Sequence, residues 1–144
     1  MKVEKVGALS FPSLEKQLSF SGLDTWTNFV QSVYDYKIHR YAVVENSNPV
    51  AGISLTEVKH PIFGHYLITA PFGSYGGFAY ENSEARNLLL DEVRQLAEQT
   101  QVEYVSIHHR EGASTPPDNW IQHPAYCTYL IDLPSTPEEL LKTF

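Results

Sequence analysis

Between Ala70 and Phe78 the chain reads Ala-Pro-Phe-Gly-Ser-Tyr-Gly-Gly-Phe, with glycine at positions 73, 76 and 77 and hydroxyls at Ser74 and Tyr75. Glycines at that density allow backbone shapes closed to other residues, and they let a second backbone or a ligand come close. The segment follows an apolar stretch that reads as a strand and precedes one that reads as a helix. A loop in that position can present amides to a bound group. Gly73, Ser74, Tyr75, Gly76 and Gly77 are therefore the first candidate substrate-binding residues, with a packed, ligand-free connection as the competing reading. A phosphate cradle fits poorly. The glycines do not follow the dinucleotide spacing, no Lys-Ser/Thr pair follows them, and no arginine or lysine lies in the loop. Phe78-Ala79-Tyr80-Glu81 also separates Gly77 from the expected helix cap, whereas a pyrophosphate turn opens its helix directly.

Other reactive residue types stand outside any constellation. His60 and His65 are five apart around a turn, and His108 and His109 are adjacent. Neighbours on a strand face opposite ways, so the second pair cannot both ligate one metal in regular geometry. With no cysteine or carboxylate partners at metal spacing, no metal site is expected. His108 or His109 has the titration range of a general base, but nothing in the sequence orients either one. Cys127 lies in an alternating stretch without a neighbouring base and reads as a buried thiol. Arg110, at a strand end beside a long loop, reads either as a solvent-facing charge or as a contact to an anionic acceptor. Trp120 either anchors that loop or walls a substrate cleft. Both join the candidate binding residues. No catalytic residue is assigned.

The elements that would position these residues are a mixture of helices and strands. A helix is predicted from about Asp24 to Tyr34, with Asp24 as N-cap and Trp26, Phe29, Val30 and Val33 on one buried face. Tyr41–Val44 and Val50–Leu55 flank the turn formers Glu45–Pro49 and predict an antiparallel hairpin, extended by a third strand at His65–Thr69. Asn82 to Gln99 is the longest predicted helix, capped by Asn82 or Ser83, with Leu88, Leu89, Val93, Leu96 and Ala97 as its buried stripe. Val102–Ile107 and Tyr126–Leu133 alternate as strands. Strand, helix and strand between 65 and 107 predict a crossover that makes the strand before the long helix parallel to the strand after it. The sheet is therefore mixed, with flanking helices.

A chain of 144 residues suits one domain. With 42% hydrophobic and 19% charged residues, it reads as folded rather than disordered. One cysteine excludes an internal disulfide. No segment approaches the roughly 18 apolar residues of a membrane span, and Met1–Lys5 does not read as a signal peptide, so cytoplasmic residence is expected. The net charge is −7, and the ten basic residues are scattered, which argues against direct nucleic-acid binding. Thr136-Pro137-Glu138-Glu139 combines a capping threonine, a proline at the first helical position and a glutamate at the third. The sequence stops two turns later, and this reads as a single unit, 1–144, of a longer protein cut within a helix starting near 136, with a short C-terminal helix docked on the core as the competing reading.

Trp26-x-x-Phe29-Val30, the Val50-Ala51-Gly52-Ile53 strand and Ala70–Gly77 together resemble the N-terminal half of FemAB-like proteins, the peptidoglycan-bridge aminoacyltransferases and their acetyltransferase-like relatives. The helix Leu88–Ala97, the strand ending at Arg110, Trp120 and Tyr129–Leu133 fit the same order. The resemblance covers most of 26–144, and Pro71–Gly77 is its most specific part. It implies an acetyltransferase-like (GNAT-like) α/β fold and a parent of two such units with the acceptor bound at their cleft. The partner would be the missing C-terminal unit. The resemblance further implies an aminoacyl-tRNA or acyl-coenzyme A donor handled by that second unit, no cofactor in this chain, and a small amino-bearing acceptor related to cell-wall or polysaccharide precursors. Two other readings compete: a complete small coenzyme A-dependent N-acetyltransferase, and a non-catalytic binding or assembly module.

Overall fold

In the computed structural model, residues 1–9, 14, 17–109, 117, 119–123 and 134–142 are described. The chain divides into two compact units, Met1–Ala113 and Ser114–Phe144. In the first, the elements run β1 (Lys2–Lys5), a 3-10 turn (Phe20–Gly22), α1 (Asp24–Tyr34), β2 (Lys37–Glu45), β3 (Asn48–His60), β4 (Gly64–Ile68), β5 (Phe78–Tyr80), α2 (Ser83–Thr100) and β6 (Tyr104–Ser106). The six strands form one sheet in the order β1-β2-β3-β4-β6, with β5 also paired to β3. All pairings are antiparallel except that of β4 with β6. This is the mixed α/β architecture with flanking helices that the sequence predicts, including the antiparallel hairpin and the parallel pair around α2.

The hairpin turns on Asn46 and Ser47, both in the left-handed region, and Asn48 and Pro49 already belong to β3. Two left-handed residues give a turn whose twist matches that of the strands it joins. A bulge between Val43 and Val44 accommodates Pro49, which cannot donate to the ladder.

The two helices pack on opposite faces. Arg40, buried to 7% exposure, is ion-paired to Asp24 of α1, while its strand neighbour Tyr41 lies close enough to Glu92 of α2 to feel its charge. Adjacent strand residues face opposite ways, so α1 and α2 cover different sides. Burial and Glu92 both raise the Tyr41 phenol above its ordinary value.

Asp24 is not the N-cap expected of it. Leu23 holds that position without a side-chain bond. The Asp24 carboxylate meets Arg40 at 2.8 Å and accepts the Leu9 amide at 2.7 Å. The Arg40 guanidinium also donates to Thr27 Oγ1 and Asn28 Oδ1, both at 2.7 Å. This network fixes how α1 lies on the sheet, and it corrects the expected buried face: Thr27 and Val30 are buried, whereas Phe29 and Val33 are exposed. The α2 cap is as predicted, Asn82 accepting from the Ala85 amide at 2.9 Å, with Leu89, Val93 and Leu96 buried and Leu88 and Ala97 half-buried.

In the second unit, Thr136 caps α3 (Pro137–Leu141) by accepting from the Glu139 amide at 3.3 Å, with Pro137 in the first turn. The strand expected at Tyr126–Leu133, with Cys127, lies outside the described residues. No helix among the described residues is long and apolar enough to cross a membrane.

Candidate functional site

The glycine loop leaves β4 where β3 changes partner. β3 pairs with β5 through Ile53 and with β4 from Thr56 onward, so Ser54 and Leu55 sit at the switch. The loop therefore starts at the carboxyl end of β4, beside the carboxyl end of its parallel neighbour β6, where open α/β sheets characteristically place ligands. Thr69 donates its amide to the Ser106 carbonyl at 3.1 Å, and its hydroxyl accepts the His108 amide at 2.8 Å. Gly76 donates to the His108 carbonyl at 3.0 Å, and Gly77 accepts from the Ser54 amide at 2.7 Å. Ser54 Oγ, Thr56 Oγ1 and His108 Nδ1 are buried there with no hydrogen-bond partner among the described residues.

The glycines have a specific steric reason. The turn Ser19–Gly22 lies directly on the loop. A Cβ on Gly22 would collide with the Gly77 amide, a Cβ on Gly73 with the Ser21 side chain, and a Cβ on Gly76 with Ser19 Oγ at 2.5 Å. Gly76 and Gly77 also have φ of 128° and 72°, a region L side chains rarely adopt. The Gly73 amide bonds the Ala70 carbonyl at 2.9 Å, and Gly76 is engaged as above. Of the two close approaches that the sequence allows, by a second segment of the chain or by a ligand, the first is present: the Gly22 backbone lies on Gly77, and the Ser19 and Ser21 side chains lie on Gly76 and Gly73.

That packing creates a cleft. Ser19, Phe20, Ser21, Trp26, Phe72, Gly73, Ser74 and Tyr75 line a shallow, solvent-open depression of about 370 Å³. Ser19 and Ser21 hydroxyls both donate to the Tyr75 carbonyl, the second at 2.8 Å, and lie 2.9 Å from each other. Trp26 Nε1 donates to the Pro71 carbonyl at 2.8 Å, which fixes the indole plane, and its ring packs 5.2 Å from Phe20. On the other rim Phe72 packs 4.9 Å from Tyr34. Ala70 and Phe72 hold φ of 48° and 59°, so the loop stores strain at two non-glycine residues and points the Phe72 ring outward. Among the described lining residues there is no carboxylate, ammonium, guanidinium or imidazole.

Of the residues singled out from the sequence, Gly73, Ser74 and Tyr75 line the cleft, and Gly76 and Gly77 lie buried beneath it. Arg110 lies outside the described residues. Trp120 belongs to the second unit, where its amide donates to the Pro117 carbonyl at 3.1 Å and its Nε1 is buried without a partner among the described residues. Ser19, Phe20, Ser21 and Phe72 were missed, and Trp26 was assigned to the core. The available signal was the run Ser19-Phe20-Ser21-Gly22, whose small residues match in size the glycines they pack against.

The α2 N-terminus carries a side-chain cap of its own. Asn82 takes the Ala85 amide, Glu84 puts a negative charge in the first turn, and Arg86 is buried, bonded to Asn87 Oδ1 at 3.1 Å and stacked over Tyr80. A separate titratable cluster lies on the α2 face of the sheet. Glu57 accepts from His39 Nε2 at 2.8 Å and His65 Nε2 at 2.9 Å, with Lys37 at 3.9 Å. Burial, the largest effect, pushes the His39 imidazole below its ordinary value despite Glu57. Burial also works to raise the Glu57 carboxyl, but the hydrogen bonds from both histidines and the nearby positive charge together hold it below its ordinary value. No group of three or more metal-ligating side chains is arranged to hold a metal ion among the described residues.

No protein-family model matches the chain, and no curated protein matches it. Among solved structures, it is similar to one described as a probable acetyltransferase, at 14% identity and a TM-score of 0.46, over 94% of this chain and 100% of that one. It is similar to an aminoglycoside antibiotic 6'-N-acetyltransferase from Acinetobacter haemolyticus at 12% identity and 0.47, over 92% and 100%. A ribosomal-protein-alanine N-acetyltransferase from Brucella melitensis biovar Abortus 2308 matches at 11% identity and 0.39, over 67% and 70%.

Proposed function

We propose that this chain is the acceptor-binding half of an acyl- or aminoacyl-transferase that forms an amide on an amino-bearing substrate, as the resemblance of Trp26–Val30, Val50–Ile53 and Ala70–Gly77 to FemAB-like proteins implies. The observation that carries the reading is the uncharged aromatic cleft beside the glycine loop, at the carboxyl end of the parallel pair. An amine held there attacks the carbonyl of a thioester or ester. The N–C bond forms, the C–S or C–O bond breaks, the amine loses a proton, and the thiol or hydroxyl leaves. This chain would position the acceptor between Trp26 and Phe72, with the Ser74 hydroxyl and the Tyr75 side chain at the rim. The donor would be handled by a second acetyltransferase-like unit, and the proton transfer is assigned to no residue here.

The state of the α2 N-terminus supports this division over a self-sufficient coenzyme A enzyme. A pyrophosphate needs free amides and positive charge at a helix start. Here a cap, a glutamate and an engaged arginine occupy it. The test is direct: the 144-residue chain is incubated with acetyl-coenzyme A and a panel of primary amines, and coenzyme A binding is followed by calorimetry. The expected result is neither coenzyme A binding nor acetyl transfer. Robust transfer to any amine would establish the complete N-acetyltransferase reading instead.

A further inference from the structure

The β3–β4 hairpin closes through Pro61, Ile62 and Phe63, between His60 and Gly64, which are partners in the strand register. Pro61 has no amide hydrogen and Gly64 takes a φ of 88°, which suits a three-residue hairpin loop. The next two amides share one acceptor. Nδ1 of His60 accepts from the Ile62 amide at 3.1 Å and from the Phe63 amide at 3.3 Å. The first position of a turn with proline second is ordinarily held by Asp, Asn or Ser, and an Asn or Asp oxygen there accepts the amide two residues on. In this hairpin a ring nitrogen stands in for that oxygen, and the nitrogen can take a proton. The ring also packs 4.7 Å from that of Phe63. The apex held in this way presents Ile62 and Phe63, 81% and 69% exposed.

We infer that His60 is a pH-sensitive latch on the hairpin apex. Nδ1 accepts only while it carries no proton, so the latch is closed in the neutral ring with its hydrogen on Nε2. Protonation makes Nδ1 a donor facing two other donors. Both bonds are then lost, and Ile62 and Phe63 are released. The contribution of the turn is present at higher pH and is lost as pH falls through the titration of the imidazole. The surrounding groups are otherwise engaged or opposed. On β3, Lys59 is the strand neighbour of His60 and faces the other way, and Glu57 is bonded to His39 and to His65 of β4. Tyr66 of β4 stacks on Tyr104 of β6. Glu103, before β6, accepts the His65 amide at 3.0 Å and lies against Gly64. Lys59 disfavours a proton on His60 and Glu103 favours one, so their effects oppose each other. The latch sits at the amino end of β4, whereas the glycine loop leaves its carboxyl end, so the inference does not rest on the transferase reading.

NMR of the 144-residue chain from about pH 8 to about pH 5, the span in which imidazole titrates, tests it. At the upper end the His60 ring nitrogens should report the Nε2–H tautomer. As pH falls, the Ile62 and Phe63 amide protons should move upfield in step with the His60 ring signals. His60→Asn keeps an acceptor in the place of Nδ1 but cannot titrate, and should hold both amides at their high-pH positions throughout. His60→Ala should leave them at the upfield positions at every pH. Amides of Ile62 and Phe63 that stay still while the His60 ring titrates would overturn the inference. The same pH response in His60→Asn would also overturn it, and would assign the effect to His65 and Glu57 instead.

Discussion

Gly22 and Gly77 meet backbone to backbone, with no room for a Cβ on Gly22 against the Gly77 amide. That contact brings the Ser19–Gly22 turn onto the glycine loop and so forms one wall of the cleft. The first prediction follows from it. Gly22→Ala forces backbone apart rather than a flexible side chain, and is expected to cost about 1–3 kcal/mol in urea unfolding. Gly7→Ala is the control, since nothing lies within 4 Å of its Cβ, and should change stability little. Equal stability of Gly22→Ala and the parent would remove the steric account of the loop.

Asp24→Ala should be among the more damaging substitutions on α1. It removes the ion-pair partner of a guanidinium that is 7% exposed and frees the Leu9 amide. Leaving a buried charge short of its partner costs about 3–5 kcal/mol in the fully buried limit. With the Asp24 side chain 22% exposed, a loss nearer the low end is expected. Thermal unfolding checks it, and an Asp24→Ala protein as stable as the parent would mean that Thr27 and Asn28 hold Arg40 without it.

Much of the fold could be read from residue patterns because local chemistry and tertiary structure agree. Asn82 and Thr136 cap the helices they were expected to cap, and the parallel pair around α2 follows from strand, helix and strand in one short stretch. The misreadings share one cause, which is that long-range pairing overrode local pattern. Trp26, Phe29 and Val33 repeat like a buried stripe. Yet the Arg40 network draws Thr27 inward, so the helix buries its Thr27 and Val30 side and leaves Phe29 and Val33 outside. Asp24 looks like a cap because nothing local reveals that Arg40 lies behind it. Strands β1 and β5 were missed because Lys2–Lys5 is mostly exposed at a sheet edge and Phe78–Tyr80 is only three residues long. The glycine loop was legible as one wall of a close approach. Its second wall was not, because Ser19–Gly22 lies some fifty residues away in sequence.

Stability should fall on acidification in two overlapping steps. The folded-state value of His39 is depressed by burial, so the unfolded chain binds the proton first. Its contribution is present above the ordinary value of 6.5 and is lost as pH falls below it. Glu57 is also depressed, so its contribution is present above 4.5 and is lost as pH falls through its lower folded value. Denaturant unfolding at several pH values should show a decline beginning near pH 6.5, and His39→Gln should flatten the upper part. A profile that stays flat from pH 7 to pH 4 would contradict the assignment.

Thr56 is fully buried, and its hydroxyl has no hydrogen-bond partner among the described residues. Thr56→Val replaces that group with a methyl of similar size and is expected to stabilise the fold by about 1 kcal/mol. A loss of stability would show that the hydroxyl is satisfied after all, for instance by an ordered water beneath the loop.

The proposed function puts an amino-bearing acceptor in the cleft between Trp26 and Phe72 and no coenzyme A at the α2 N-terminus. A backbone NMR titration of the 144-residue chain tests both halves at once, using primary amines from benzylamine to glucosamine in one series and coenzyme A in the other. The expected result is amine-dependent shifts clustered on residues 19–21, 26 and 72–75, weakened in Ser74→Ala or Tyr75→Phe by roughly the 0.5–1.5 kcal/mol of one neutral hydrogen bond, and no response to coenzyme A. Saturable coenzyme A shifts centred on Ser83–Ala85, with the cleft silent to every amine, would contradict it.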